Sequence, residues 1–210
     1  MARWLSDREE AREQRLLASQ PESSGNLTEF LERLGARVTK AVMEDEQVRG
    51  RLADVRHEVL AVDYREDKPE EGTAARRAAE VAIYDYDRDI LVVAAFDLYS
   101  GAVFEVYERE GAAPPIAAAE FASALELVGE LPEIGEAVRR EDADVVAFPA
   151  PSYAFDGSPR RARHRGCMLY VTGPRNEVLG VTVDLSAREV VPDDELPDIL
   201  RPDRASASGT

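Results

Sequence analysis

The stretch Arg160-Arg161-Ala162-Arg163-His164-Arg165 concentrates cationic side chains on a chain that is otherwise strongly acidic. Arginine forks match carboxylates and phosphates in shape and charge, so Arg160, Arg161, Arg163, His164 and Arg165 form a candidate anion- or partner-binding loop. The plainer reading is structural and is preferred. The loop falls opposite Arg76-Arg77 in an earlier part of the chain, where arginines would pair with neighbouring acids. Other chemistry is sparse. A transition-metal centre needs three or four converging His, Cys or carboxylate ligands, and the chain offers only His57, His164 and Cys167 beyond its acids. No metal and no cofactor is expected. Asp85, Asp87 and Asp89 alternate like calcium ligands but lack the full EF-hand loop with its closing glutamate, so a solvated hairpin turn is expected there. Gly157-Ser158-Pro159 lacks the flanks of a nucleophile elbow, and no glycine-rich phosphate loop follows a strand.

Composition narrows the classes further. With 210 residues, 44% hydrophobic and 32% charged, the chain can bury one large core or two small ones of about 100 residues each. Its 42 acids against 26 bases give a net charge of −16; such a surface repels phosphate backbones, so nucleic acid is not an expected partner. No uncharged apolar run approaches the ~18 residues that mark a membrane span, so no membrane insertion is expected. The start, Met1-Ala2-Arg3-Trp4-Leu5-Ser6-Asp7, turns acidic without the apolar stretch of a secretory signal. A cytoplasmic location follows as the expectation, and a lone cysteine fits a reducing compartment. Cys167 lies in an apolar strand pattern and reads as a small core residue.

The elements that would position these groups show a clear order. Residues 1–26 form a charged arm and linker, with a short solvated helix over 6–18. Asn26 and Glu29 read as a capping box, followed by a helical stripe of Leu27, Phe30, Leu31, Leu34, Val38 and Val42. Strands are predicted at 58–64, 79–84, 90–98 and 103–107, joined by turns at hairpin distance, which argues for an antiparallel meander. Gly111–Pro115 breaks the chain and the pattern restarts. Phe121, Ala124, Leu125 and Val128 mark a helix, Pro132 opens a second carrying Ile134 and Val138, and strands follow at 144–148, 167–171, 177–185 and 189–191. From Pro192 the acids, prolines and small residues read as a disordered tail.

Val81-Ala82-Ile83-Tyr84 aligns with Cys167-Met168-Leu169-Tyr170, Phe96-Asp97-Leu98 with Val183-Asp184-Leu185, and Val103 with Val190, all at nearly constant separation. An internal repeat of that kind means two copies of one supersecondary unit. The fold class predicted is α+β: two tandem units over 27–110 and 111–191, each a helix packed on a curled antiparallel sheet of about four strands, cystatin-like in shape.

Three stretches carry a family resemblance. Arg76–Asp85 with Phe96–Val103 resembles the first strand hairpin of copper amine oxidases. Gly111–Ile116 followed by Glu120-Phe121 is similar to that family's linker into its next domain, and Val181–Val191 to the strand that closes it. The ordered set covers roughly residues 27–191. The resemblance implies two non-catalytic N-terminal domains that help shape a substrate entrance and hold neither copper nor quinone. The family's catalytic part needs an Asn-Tyr-Asp/Glu tyrosine and a His-x-His pair with a third histidine. This chain has no Asn-Tyr dipeptide and only His57 and His164, so no catalytic residue carries over and no enzyme is expected. The expected role is a binding or assembly module for another protein, such as a separately encoded catalytic subunit, or one that self-associates. The alternative is a small-ligand binder or inhibitor using a groove lined by Tyr64, Tyr84, Tyr99, Tyr107, Tyr153 and Phe155. An enzyme whose site forms only in a homodimer ranks below both.

Overall fold

The computed structural model describes residues 24–67, 76–140, 143–151, 155, 161–172 and 178–198. The predicted helix over 6–18 lies outside them. The chain divides into two compact units, one of Met1–Asp85 with Leu91–Arg109, the other of Tyr86–Ile90 with Glu110–Thr210. The architecture is α+β, with two four-stranded antiparallel sheets and a few helices.

In the first unit, α1 (Ser24–Glu44) exists because Phe30, Leu34, Val38 and Val42 fall one helical turn apart and are all buried. Each such side chain contributes about 1.5–3 kcal/mol on leaving water. Leu31, placed on the same stripe by the sequence, is instead 37% exposed. The predicted cap Asn26 sits inside the helix, which starts earlier at Ser24; the apolar stripe, not the capping pattern, governs where this helix forms. A short α2 (Glu46–Arg51) is capped by Asp45, whose carboxylate accepts from the amides of Gln47 at 2.9 Å and Val48 at 3.3 Å. Then come β1 (His57–Asp67), β2 (Arg76–Asp85), β3 (Ile90–Asp97) and β4 (Ala102–Glu110), paired in sequence order. The sequence puts Leu60, Val62 and Tyr64 on one face, but a bulge between Val59 and Ala61 breaks that alternation. β3 is buried from Leu91 to Phe96 on both faces, which is why it reads as an unbroken apolar run.

The second unit repeats the order of elements: α3 (Ala118–Gly129), α4 (Pro132–Val138), then β5 (Asp144–Pro149), β6 (Gly166–Thr172), β7 (Val178–Asp184) and β8 (Glu189–Val190) in a sheet of that order. Pro132 occupies the first turn of α4 as predicted. α3 buries Ala124 and Val128, and Leu169, Val171 and Val183 supply buried residues of the sheet. β6 must open on a glycine: a Cβ on Gly166 would lie 2.6 Å from the Phe155 ring and 2.7 Å from Ala150 Cβ. The disordered tail expected from Pro192 requires correction over its first residues. A 3-10 turn spans Asp193–Glu195, and Leu196 is buried with Ala150, Phe155 and Val191. One apolar side chain among acids is enough to bring this segment back onto the sheet.

Each unit has a turn of the same kind. Asp97 ends β3 and accepts from the amides of Tyr99 and Ser100 at 2.8 and 3.0 Å; Asp184 ends β7 and accepts from the amide of Ala187 at 2.8 Å. The next residue is a buried leucine in each case. Leu98 donates its amide to the Arg77 carbonyl, and Leu185 to the Arg165 carbonyl. Each turn ends in the left-handed region, at Gly101 with φ 68° and at Arg188 with φ 57°. Glycine takes that backbone without strain, whereas a side chain costs roughly 1 kcal/mol. Arg188 is exposed, so Arg188→Gly is expected to stabilise the second unit by up to about 1 kcal/mol in urea titration. A loss of stability would mean that its side chain holds the turn.

Candidate functional site

The predicted arginine loop lies at the end of the second sheet. Arg161 is 2% exposed, although its residue type is almost never buried unless paired. Its guanidinium reaches Asp184 at 2.7 Å, Glu189 at 2.6 Å and Glu195 at 2.9 Å. Burial pulls its pKa down, but the hydrogen bonds to Glu195 and Asp184 and the charge of Glu189 outweigh that and raise it. Three segments thus meet on one fork: the end of β7, β8, and the 3-10 turn. Asp184 is fully buried and has a second ligand, the His164 ring, whose Nδ1 lies 2.7 Å from Oδ2.

Arg165, four residues along the same loop, is 5% exposed and forms a two-pronged pair with Glu120. Its Nη2 bonds Glu120 Oε2 at 2.7 Å and its Nε bonds Oε1 at very short range. Nη2 also reaches the carbonyls of Pro114 and Pro115 at 3.2 and 3.1 Å. Glu120 stands in the first turn of α3, where a carboxylate favours the helix dipole. It accepts from the amide of Ala117 at 2.9 Å and from the Tyr86 hydroxyl at 2.7 Å. The whole carboxylate is therefore enclosed by donors, which is the condition under which a buried ion pair is tolerable.

Tyr86 and Asp89 belong to the turn predicted to be solvated, and the structure corrects this. Asp85 is fully buried, Tyr86 is 7% exposed, and Asp89 bonds the Ser186 hydroxyl and lies 3.9 Å from His164 Nε2. Desolvation raises the Asp89 carboxyl above its ordinary value, with Ser186 and His164 pulling back against it. Asp87, by contrast, is exposed.

Ser186, His164, Asp89 and Asp184 include the residue types of a nucleophilic triad, but the wiring differs from one. A nucleophilic serine must give its proton to the imidazole. Here the Ser186 hydroxyl donates to Asp89 and accepts from the Arg165 amide at 2.9 Å. The imidazole lies against two carboxylates instead. What the arrangement does chemically is fix the turn after β7, the turn before β6 and the residues around Asp89 in one place.

Of the predicted binding residues, Arg161 and Arg165 direct their forks at the chain's own carboxylates and His164 is half-buried on Asp184. Arg163 is exposed, and Arg160 lies outside the described residues. Sequence reasoning missed Glu120, Asp184, Ser186 and Tyr86. The repeat held a signal for Asp184, because it aligns with Asp97; the others come together only over long sequence distances. His57 sits apart, its Nδ1 against the Val55 carbonyl at 2.9 Å, beside a shallow depression of about 520 Å³ near Met43, Glu46 and Arg49. The tyrosines of the predicted groove are scattered in role. Tyr84 and Phe155 are core, Tyr107 bonds Glu80 at 2.9 Å, Tyr64 bonds the Leu31 carbonyl, and Tyr153 lies outside the described residues. Cys167 is fully buried, and desolvation, with the charge of Glu120, pushes its thiol up to about 12. Among the described residues no group of three His, Cys, Asp or Glu could hold a metal, and no helix is long and apolar enough to cross a membrane.

No family model matches the chain. A search of curated proteins finds no match. Among solved structures, the chain is similar to a copper-containing benzylamine oxidase from Hansenula polymorpha, at 13% identity and a TM-score of 0.45 over 74% of its own length, and it spans 28% of that enzyme's chain.

Proposed function

We propose that this chain is a non-catalytic binding and assembly module. It is built from two tandem copies of one cystatin-like unit and acts on another protein, such as a separately encoded catalytic subunit. The observation that carries the reading is the wiring of the ionic cluster. The side chains best suited to chemistry, Arg161, His164, Arg165, Asp184 and Ser186, are each hydrogen-bonded to groups that hold backbone segments in place. Side chains so committed build a scaffold. The repeated turn at Asp97 and Asp184 supports the duplication, with Gly101 and Arg188 in the same backbone conformation. The ordered resemblance of Arg76–Asp85, Gly111–Ile116 and Val181–Val191 to the N-terminal domains of copper amine oxidases supports an accessory role. The lone buried Cys167 supports a cytoplasmic setting.

The test is affinity purification of the tagged chain from its own host, with mass spectrometry of whatever co-purifies. An enzyme recovered in stoichiometric amount supports the accessory role. A solitary chain overturns it and leaves the small-ligand reading to be tested by thermal shift against amines, peptides and metabolites.

A further inference from the structure

The four sheet edges are treated differently. An exposed edge is a template for pairing with another chain, and proteins blunt it with charge, shortness or a covering element. β1 carries Glu58, Asp63, Arg65 and Glu66, and β4 carries Glu105, Glu108, Arg109 and Glu110. β8 is two residues long. β5, Asp144-Val145-Val146-Ala147-Phe148-Pro149, has one charge, at its first residue.

The face of β5 is equally open. Val146 is 42% exposed and Phe148 53%. Across the sheet they pair with Tyr170 and Met168 of β6, which pair in turn with Gly180 and Thr182 of β7. The Phe148 ring meets Tyr170 edge-on at 6.1 Å between centroids. Tyr170 lies over Gly180, where a Cβ would meet its ring at 3.5 Å, and Val178, at the end of that strand, is 57% exposed. Large apolar side chains that stay contiguous and exposed mark an interaction surface.

The hydrogen-bond phase of the edge follows from one contact. The Ala150 amide donates to the Gly166 carbonyl, so in an antiparallel ladder Phe148, Val146 and Asp144 point their backbone groups at β6. Val145, Ala147 and Pro149 then present theirs outward. Pro149 has no amide to offer, so an added strand finds its donors at Val145 and Ala147 and stops there.

We propose that this edge pairs with β5 of a second copy of the chain about a two-fold axis at Val146. In that register Val145 lies opposite Ala147 of the second copy, and Ala147 opposite Val145, each pair exchanging both amide–carbonyl bonds. Asp144 falls opposite Phe148, so no acid of one strand faces an acid of the other. This matters on a chain of net charge −16: β5 has no charge after Asp144, whereas β1 and β4 would set several carboxylates against their copies. The two open faces join, with Val146, Phe148 and Tyr170 of both copies in one apolar stripe across a continuous eight-stranded sheet. The dimer stands independently of the accessory role above, and either can fail alone.

The experiment is sedimentation equilibrium on the full chain, with thermal unfolding to confirm that each variant is folded. Wild type is expected to pass from 23.2 kDa to twice that mass as concentration rises towards about 100 µM. The association should tighten with added salt, because both copies carry the same charge. Phe148→Lys restores the missing edge charge at an exposed position and is expected to weaken association at least tenfold. Ala147→Pro removes an outward amide and is expected to do the same. A wild-type chain that stays at 23.2 kDa overturns the proposal, and so does a dimer unmoved by Phe148→Lys.

Discussion

A chain carrying Arg165→Met is expected to lose about 3–5 kcal/mol of stability in its second unit, with denaturant midpoints falling to match. The size follows from what remains. Glu120 is 3% exposed and would keep only the Tyr86 hydroxyl and the Ala117 amide as donors. A buried carboxylate that loses its counter-charge cannot recover its hydration without opening the structure. The Pro114 and Pro115 carbonyls lose a donor at the same time. Arg163→Met, in the same loop but exposed, is expected to stay within about 0.5 kcal/mol of wild type. Pairing Arg165→Met with Glu120→Met should recover most of the loss, since an apolar pair of similar volume replaces a desolvated ionic one. If Arg165→Met and Arg163→Met cost the same, the ion pair contributes nothing and the structural reading of the loop is wrong.

That contrast between neighbouring arginines shows where sequence reading stops. The patterns legible in the sequence were periodic or local. Apolar spacing located α1, and short alternating or unbroken apolar runs bounded by turn residues located the eight described strands to within a few residues. The match of Phe96-Asp97-Leu98 to Val183-Asp184-Leu185 anticipated a shared turn geometry. Where register depended on an extra residue, as at the Leu60 bulge, alternation alone misassigned the face. Whether an arginine is exposed or buried depends on partners distant in the chain. Arg165 finds Glu120 at a separation of 45 residues, and Ser186 finds Asp89 at 97. A single sequence carries no record of such meetings. The same applies to Leu196: an isolated leucine among Asp193, Asp194 and Glu195 has no period to betray it, yet it is 3% exposed.

Asp184→Ala is the other substitution expected to cost about 3–5 kcal/mol, for a different reason. Asp184 is the junction of the ionic cluster rather than one half of a pair. Its Oδ2 accepts from Arg161 at 2.7 Å and lies 2.7 Å from His164 Nδ1, while Oδ1 accepts from the Ala187 amide at 2.8 Å. Truncation leaves all three without that partner at a fully buried position. Arg161 keeps Glu189 and Glu195, but both are partly exposed and lie on the segments it is meant to hold. The loss should therefore reach the 3-10 turn and Leu196, and amide exchange should quicken at Glu195 and Leu196 as well as at Ala187. Asp184→Asn separates the two functions: its side-chain oxygen can still accept from Ala187, so the turn survives while Arg161 loses its buried counter-charge and keeps only Glu189 and Glu195, and an intermediate loss is expected. Glu195→Ala provides the lower bound. Its side chain is 39% exposed, so about 1 kcal/mol or less should be lost. Exchange confined to Ala187 in Asp184→Ala would show that the turn and the 3-10 segment are held separately, and that Arg161 does not couple them.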